Sequence, residues 1–202
     1  MQKVGLYSLV ALVVFALVFT LLPAAQQASD QTGATLRDVQ LTLYPAHDQD
    51  AIWQFQAGNV QSDPLTGVTE LAELSGGQRL VRQKDSAGQY TGRTTLDATL
   101  STPHLTINAQ DDITTPRARI TLVSQCADID LSGTPEQPVT IQQGVGFSAP
   151  LAVVDSPYLT GRLGHLQMDF QFQVLGSDQD SQISAPLDAT ETCRGGRRVP
   201  LT

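Results

Sequence analysis

Carboxylates, imidazoles and thiols are the groups through which this chain could do chemistry, and they are few and scattered. Asp111-Asp112, Asp128/Asp130 and Asp178/Asp180 are close acidic pairs of the kind that can bind calcium or act as general acid and base. Asp128 and Asp130 flank Ile129 and so share one strand face, yet none of the pairs has the loop length or glycine of a calcium motif. His47, His104 and His165 are isolated, and two of them neighbour Pro or Gly as surface loop residues do. Gly144-x-Gly146 and Gly161-x-x-Gly164 lack the strand-to-helix context of a phosphate loop. Two cysteines and three histidines so placed do not make a zinc site of ordinary spacing. The expectation is a chain that is not an enzyme, with no catalytic residue, no metal and no cofactor.

The elements that carry these residues fall into two kinds. Residues 4–22 (VGLYSLVALVVFALVFTLL) contain no charge, and only Tyr7, Ser8 and Thr20 are polar. As a helix they span roughly 28 Å, close to the hydrocarbon thickness of a bilayer. The competing reading is a cleaved secretory signal, whose apolar region is usually shorter and ends in a small-x-small site. Cleavage after Ala25 leaves Pro23 at the third position back, and cleavage after Ala24 leaves Leu22 there. Both readings send the rest of the chain out of the cytoplasm. Lys3 precedes the run and no basic residue follows until Arg37, which places the N-terminus inside and the domain in the periplasm or outside, held to the inner membrane by a single pass.

Beyond the anchor (1–25), residues 26–35 read as a polar linker, 36–193 as an extracytoplasmic β domain and 194–202 as a flexible basic tail with Arg194, Arg197 and Arg198. The formal net charge of −8 argues against a nucleic-acid surface. Cys126 and Cys193, outside the cytoplasm, point to a disulfide, with two unrelated thiols as the alternative.

Within the domain the period is two almost everywhere. Leu36-x-x-Val39-x-Leu41-x-Leu43 opens the first strand, and Trp53, Phe55 and Ala57 line one face of the next. Asp63-Pro64-Leu65-Thr66-Gly67 and Ser75-Gly76-Gly77 read as turns, and residues 84–92 as a polar hairpin tip or loop. Alternation resumes at Leu96/Ala98/Leu100, Leu105/Ile107, Ala118/Ile120/Leu122, Ile129/Leu131 and Val139/Ile141. Residues 144–150 read as a Gly/Pro loop. Leu166, Met168, Phe170, Phe172 and Val174 give the cleanest alternation, with Gln167, Asp169, Gln171 and Gln173 opposite. No segment after residue 25 has helical periodicity. The fold class is all-β: a single N-terminal transmembrane helix, then a β-jellyroll or open β-sandwich of many short antiparallel strands. Residues 135–193 either extend that sandwich or form an additional subregion.

Trp53-x-Phe55-x-Ala57-x-x-Val60 and the strand pair over residues 105–122, behind an anchor and a short linker, resemble the LptC component of the lipopolysaccharide export bridge. More loosely they are similar to the LptA/OstA-type β-jellyroll family. The similarity covers the layout to about residue 131; the cysteine pair and residues 135–202 depart from it. It implies a V-shaped open sandwich whose apolar interior shields acyl chains, one edge meeting the permeases of an ABC transporter and the other pairing with a further jellyroll by strand addition. The inward candidates for such a groove are Trp53, Phe55, Ile107, Ile120, Leu122, Met168, Phe170 and Phe172. Each is also what an ordinary closed core would bury.

Two other functions fit the pattern. One is an envelope structural or protein-interaction domain, pilin-like or adhesin-like, with a closed sandwich and no lipid; a pilin's glutamate near the helix start is replaced here by Leu6-Tyr7-Ser8-Leu9-Val10 after Gly5. The other is a hydrolase of envelope polymers, which needs a clustered acid pair that the sequence does not offer.

Overall fold

The computed structural model describes residues 34–186, 188 and 190–201. The expected membrane helix and residues 26–33 of the expected linker lie outside the described residues. The chain is all-β over the described residues, and every pairing is antiparallel. The strands are β1 (Ala34–Leu43), β2 (Ala51–Asp63), β3 (Val68–Lys84), β4 (Tyr90–Ser101), β5 (His104–Ile107), β6 (Ile113–Thr115), β7 (Arg117–Leu122) and β8 (Ala127–Ser132). There follow β9 (Val139–Gln142), β10 (Gly146–Asp155), β11 (Thr160–Met168), β12 (Val174–Gly176), β13 (Gln182–Ser184), β14 (Glu191–Arg194) and β15 (Arg197–Pro200). The first thirteen form one sheet and the last two a sheet of their own.

The pairings resolve into a simple meander. β4 and β5 lie end to end along one edge of β3, opposite residues 77–84 and 69–72. β7 and β6 continue beside them, then β8 and β9. β10 spans both, meeting β9 through residues 146–148 and β8 through residues 151–155. β11 runs the length of β10, with β13 and β12 end to end on its far side. Each row is interrupted at one level: at Asp38, Gly58, Glu73, Thr102-Pro103, Pro116, residues 133–138, Pro150 and His165. Asp38, Glu73 and His165 take the left-handed backbone conformation, with φ of 51°, 57° and 42°.

That line of interruptions is a crease. Trp53 in β2 and Phe170 beyond β11 lie on opposite sides of it, each four or five residues away, or roughly 15 Å along its row. Their rings are nonetheless 6.0 Å apart. The sheet is therefore doubled over, and its two leaves face each other. The first leaf holds β4, β7, β8 and β13; the second holds β5, β6, β9 and β12; β1, β2, β3, β10 and β11 cross the crease. One core cluster draws buried side chains from both leaves.

Folding a sheet frees backbone groups from the ladder, and buried ones must find partners. Thr102 and Thr115, both buried, supply them: their hydroxyls stand 2.8 Å apart and within 2.8–3.1 Å of the carbonyls of His104 and Arg117. The Gly133 N–H donates to the Pro116 carbonyl at 2.8 Å.

Four local expectations are corrected. Ser75-Gly76-Gly77 is not a turn: β3 runs through it, because a side chain at Gly77 would come 3.0 Å from the Leu100 carbonyl and 3.2 Å from the Phe55 ring. Residues 144–150 are not a loop, since β10 begins at Gly146, and Pro150 falls where β10 changes partner from β9 to β8 and no N–H is needed. The alternation at residues 166–174 is not one strand. β11 ends at Met168, and the Asp169 carboxylate accepts from the N–H groups of Gln171 and Gln173 at 3.0 and 2.8 Å, turning the chain. The expected tail of residues 194–202 is not loose where it is described, since Arg197–Pro200 is β15 and pairs with β14. In addition, β1 takes the last two residues of the expected linker, and β9 to β13 complete the same sheet rather than a separate piece.

Replacing Thr115 by Val keeps the shape but removes one of the two hydroxyls that serve the crease carbonyls. The expected loss is about 1–3 kcal/mol in urea unfolding, with Thr115→Ser close to the parent protein.

Candidate functional site

The space between the leaves is where the eight inward candidates go. Trp53 and Phe55 on β2 and Ile120 and Leu122 on β7 come from the first leaf; Ile107 on β5, Met168 on β11 and Phe170 in the loop after it come from the second. All seven are buried, with Trp53, Ile120 and Leu122 fully so, and Phe172 is half-buried against them. Trp53 stacks on Phe55 with centroids 5.7 Å apart, and Phe170 meets both Trp53 and Phe147 edge-on, the latter at 5.6 Å. The interior is apolar and occupied by its own side chains.

Opposite the crease, the free ends of the leaves are joined by a short series of polar ties. The Trp53 indole N–H donates to the Gln143 side-chain carbonyl at 3.1 Å. Gln143 is itself fixed, its N–H donating to the Asp112 carboxylate and its amide to the Asp111 carbonyl. The Asp111 carboxylate accepts the Ala46 N–H at 3.0 Å, which draws the loop of residues 44–50 onto the second leaf. Gly144, at φ 77°, lets that loop pass: a Cβ there would sit 2.5 Å from the His47 carbonyl oxygen.

Arg79 is the charged member of this group and is 6 % exposed. It ion-pairs with Asp48 at 2.6 Å and with Asp97, and its guanidinium lies 4.2 Å from the Phe170 centroid. Asp97 reaches it through a β-bulge: Arg79 pairs with Ala98 and Leu80 with Leu96, leaving Asp97 as the extra residue. The sequence pattern does not single out Arg79, Asp48, Asp97 or Gln143. A signal is nonetheless present for Arg79, an inward-parity position two residues after Gly77.

At the outer end of the same loop, Lys84 and the Tyr90 hydroxyl hold the Asp50 carboxylate at 2.7 Å each. The hydrogen bond from Lys84, then that from Tyr90, hold Asp50 below the ordinary carboxylate value, and the same bond raises Lys84. A carboxylate lowered by folding stabilises above its unfolded value, and that contribution is lost as pH falls through the folded one.

Several of the other candidate groups make structural contacts. Asp128 accepts from the Thr121 hydroxyl at 2.6 Å, Asp130 pairs with Arg119 at 3.0 Å, and His165 meets Asp178 at 2.8 Å on the crease. Cys126 and Cys193 form a disulfide. Among the described residues, no three His, Cys, Asp or Glu side chains are gathered so as to hold a metal ion. On the outside of the crease lie polar hollows, one of about 500 Å³ beside Asp38 and Glu73 and one of about 280 Å³ beside Pro150 and His165. No known family model and no curated protein matches this chain.

Two outcomes follow from the charges. Asp97→Ala, which strands Arg79 with half its compensation, costs about 3–5 kcal/mol in denaturant melts, while Arg79→Met with Asp48→Asn and Asp97→Asn recovers most of it. In a carboxyl NMR titration Asp50 has its midpoint below 3.8, and Lys84→Met moves it up.

Proposed function

We propose that this chain is a membrane-anchored extracytoplasmic β-jellyroll that takes up lipid between its two leaves and passes it on as part of an envelope export bridge. The observation that carries this reading is the asymmetry of the interior. Its apolar surface is walled by the crease along one side and closed on the other by polar ties around Trp53, Gln143, Asp111 and Arg79. An acyl chain entering past those ties would take the place of the leaves' own apolar contacts at Phe55, Ile120 and Phe170. The apolar run of residues 4–22 supports the membrane attachment. β1 ends the strand order, which supports strand addition by a neighbouring jellyroll or a transporter component on its outer edge.

A second reading, an interaction domain with no lipid, is favoured by the complete burial of Trp53, Ile120 and Leu122. In that case the interior is only a core, and the working surface is the β1 edge.

A photo-crosslinking amino acid placed in turn at Phe55, Ile120 and Phe170, with Gln54 and Gln171 as surface controls and Gln40 on the β1 edge, separates the two in cells. Lipid adducts at the interior positions and not at the controls are expected. Protein adducts at Gln40 with no lipid adduct inside, in protein shown to be folded, would replace lipid transfer with the interaction domain.

A further inference from the structure

The C-terminal hairpin is built differently from everything else in the domain. β14 and β15 pair only with each other among the described residues, and neither contributes a residue to the core cluster. The turn between them, Gly195-Gly196, lies against Val123 in the β7–β8 connection. The hairpin thus spans two neighbouring ends of the first leaf, residues 123–126 and 156–159.

Three attachments hold it there. The covalent one is the disulfide from Cys193 on β14 to Cys126. Arg198 on β15 donates to the Cys126 carbonyl at 3.2 Å and to the Asp155 carbonyl at 2.7 Å, and pairs with the Asp155 carboxylate at 3.1 Å. The Tyr158 hydroxyl accepts the Cys193 N–H at 3.2 Å and stands 3.3 Å from the Thr192 hydroxyl. The polar attachments are wet: the Asp155 side chain is 60 % exposed and that of Arg198 31 %. Exposed ion pairs and hydrogen bonds compete with water and hold little by themselves. Among the described residues, the apolar contact of the hairpin is at its margin, Gly196 on Val123, and none of its side chains joins the core cluster.

We propose that the β14–β15 hairpin is a redox-releasable clasp: reduction of Cys126–Cys193 by a dithiol reductant detaches it while the thirteen-stranded sheet stays folded. This inference does not depend on the lipid reading. Cys126 is 7 % exposed and Cys193 is more accessible, so the reductant's thiolate attacks the Cys193 Sγ. A mixed disulfide forms, and the Sγ of Cys126 leaves as a thiolate and takes up a proton. The reductant's second thiol then displaces Cys193, which leaves as a thiolate and is protonated in turn. Two electrons and two protons pass to the protein, and the reductant departs as a disulfide. Release uncovers Val123 and Tyr158 at the end of the first leaf and frees a segment carrying Arg194, Arg197 and Arg198.

Hydrogen exchange on the full chain, followed by mass spectrometry before and after dithiothreitol, reads this directly, with thiol alkylation confirming reduction. In the reduced protein, amides of residues 190–201 should exchange at least about tenfold faster while β2 to β11 keep their protection. Unchanged protection of the hairpin in fully reduced protein would overturn the proposal, as would loss spreading through the sheet. Arg198→Ala, kept oxidised, should retain hairpin protection; losing it with the disulfide intact would equally overturn the clasp. A second readout is Tyr158, whose phenol is held below its ordinary value by the Thr192 hydroxyl and then the Cys193 N–H. On reduction its titration should move up toward the free phenol, and an unmoved titration would contradict release.

Discussion

The constraint on which this structure depends is that a hydrogen-bonded sheet can fold sharply only if every row breaks at the same level. A single unbroken row would hold its neighbours flat. Here each row meets the requirement by its own local means. Proline interrupts at Pro103, Pro116 and Pro150; a left-handed residue bends β1, β3 and β11 at Asp38, Glu73 and His165; a short excursion separates β8 from β9. Thr102 and Thr115 then satisfy carbonyls that the fold leaves inside. The result is a single meander that encloses a core without a second sheet.

What closes the leaves and what aligns them are different interactions. Fully burying a Leu, Ile or Phe side chain is worth roughly 1.5–3 kcal/mol, whereas a hydrogen bond nets about 1 kcal/mol. Closure therefore comes from the apolar faces of β2, β7, β8 and β11. The ties at Trp53–Gln143 and Ala46–Asp111, and Arg79 against Phe170, add little to that sum but permit only one alignment, because a slip would bury unpaired groups. Polar closure over an apolar interior is the feature from which both proposed readings, a lipid-handling cleft and a plain core, start.

Most strands were legible because their inward faces alternate cleanly, as at Trp53/Phe55/Ala57 and Ala118/Ile120/Leu122. The reading failed wherever the crease or a turn overrode local pattern. Gly76-Gly77 has turn composition, yet β3 runs through it and Gly77 serves close packing on Phe55 and Leu100. Phe170 and Phe172 keep strand periodicity by inspection, but Asp169 captures the N–H groups of Gln171 and Gln173 and ends the strand. The polar half of the candidate site was hidden for a related reason. Asp97 faces Arg79 only because a bulge inserts it, and Gln143 meets Trp53 only because the sheet doubles over, which joins residues ninety positions apart.

The most direct test of the facing leaves uses Trp53, the chain's one tryptophan. Its indole, 0 % exposed, lies at the centre of the contact between Phe55 and Phe170. Acrylamide quenching of its fluorescence in the full chain should show blue-shifted emission and almost no quenching until the protein unfolds. Emission near that of free indole in water, quenched readily in the folded protein, would mean that the leaves do not close over each other, and the account of the crease would be wrong.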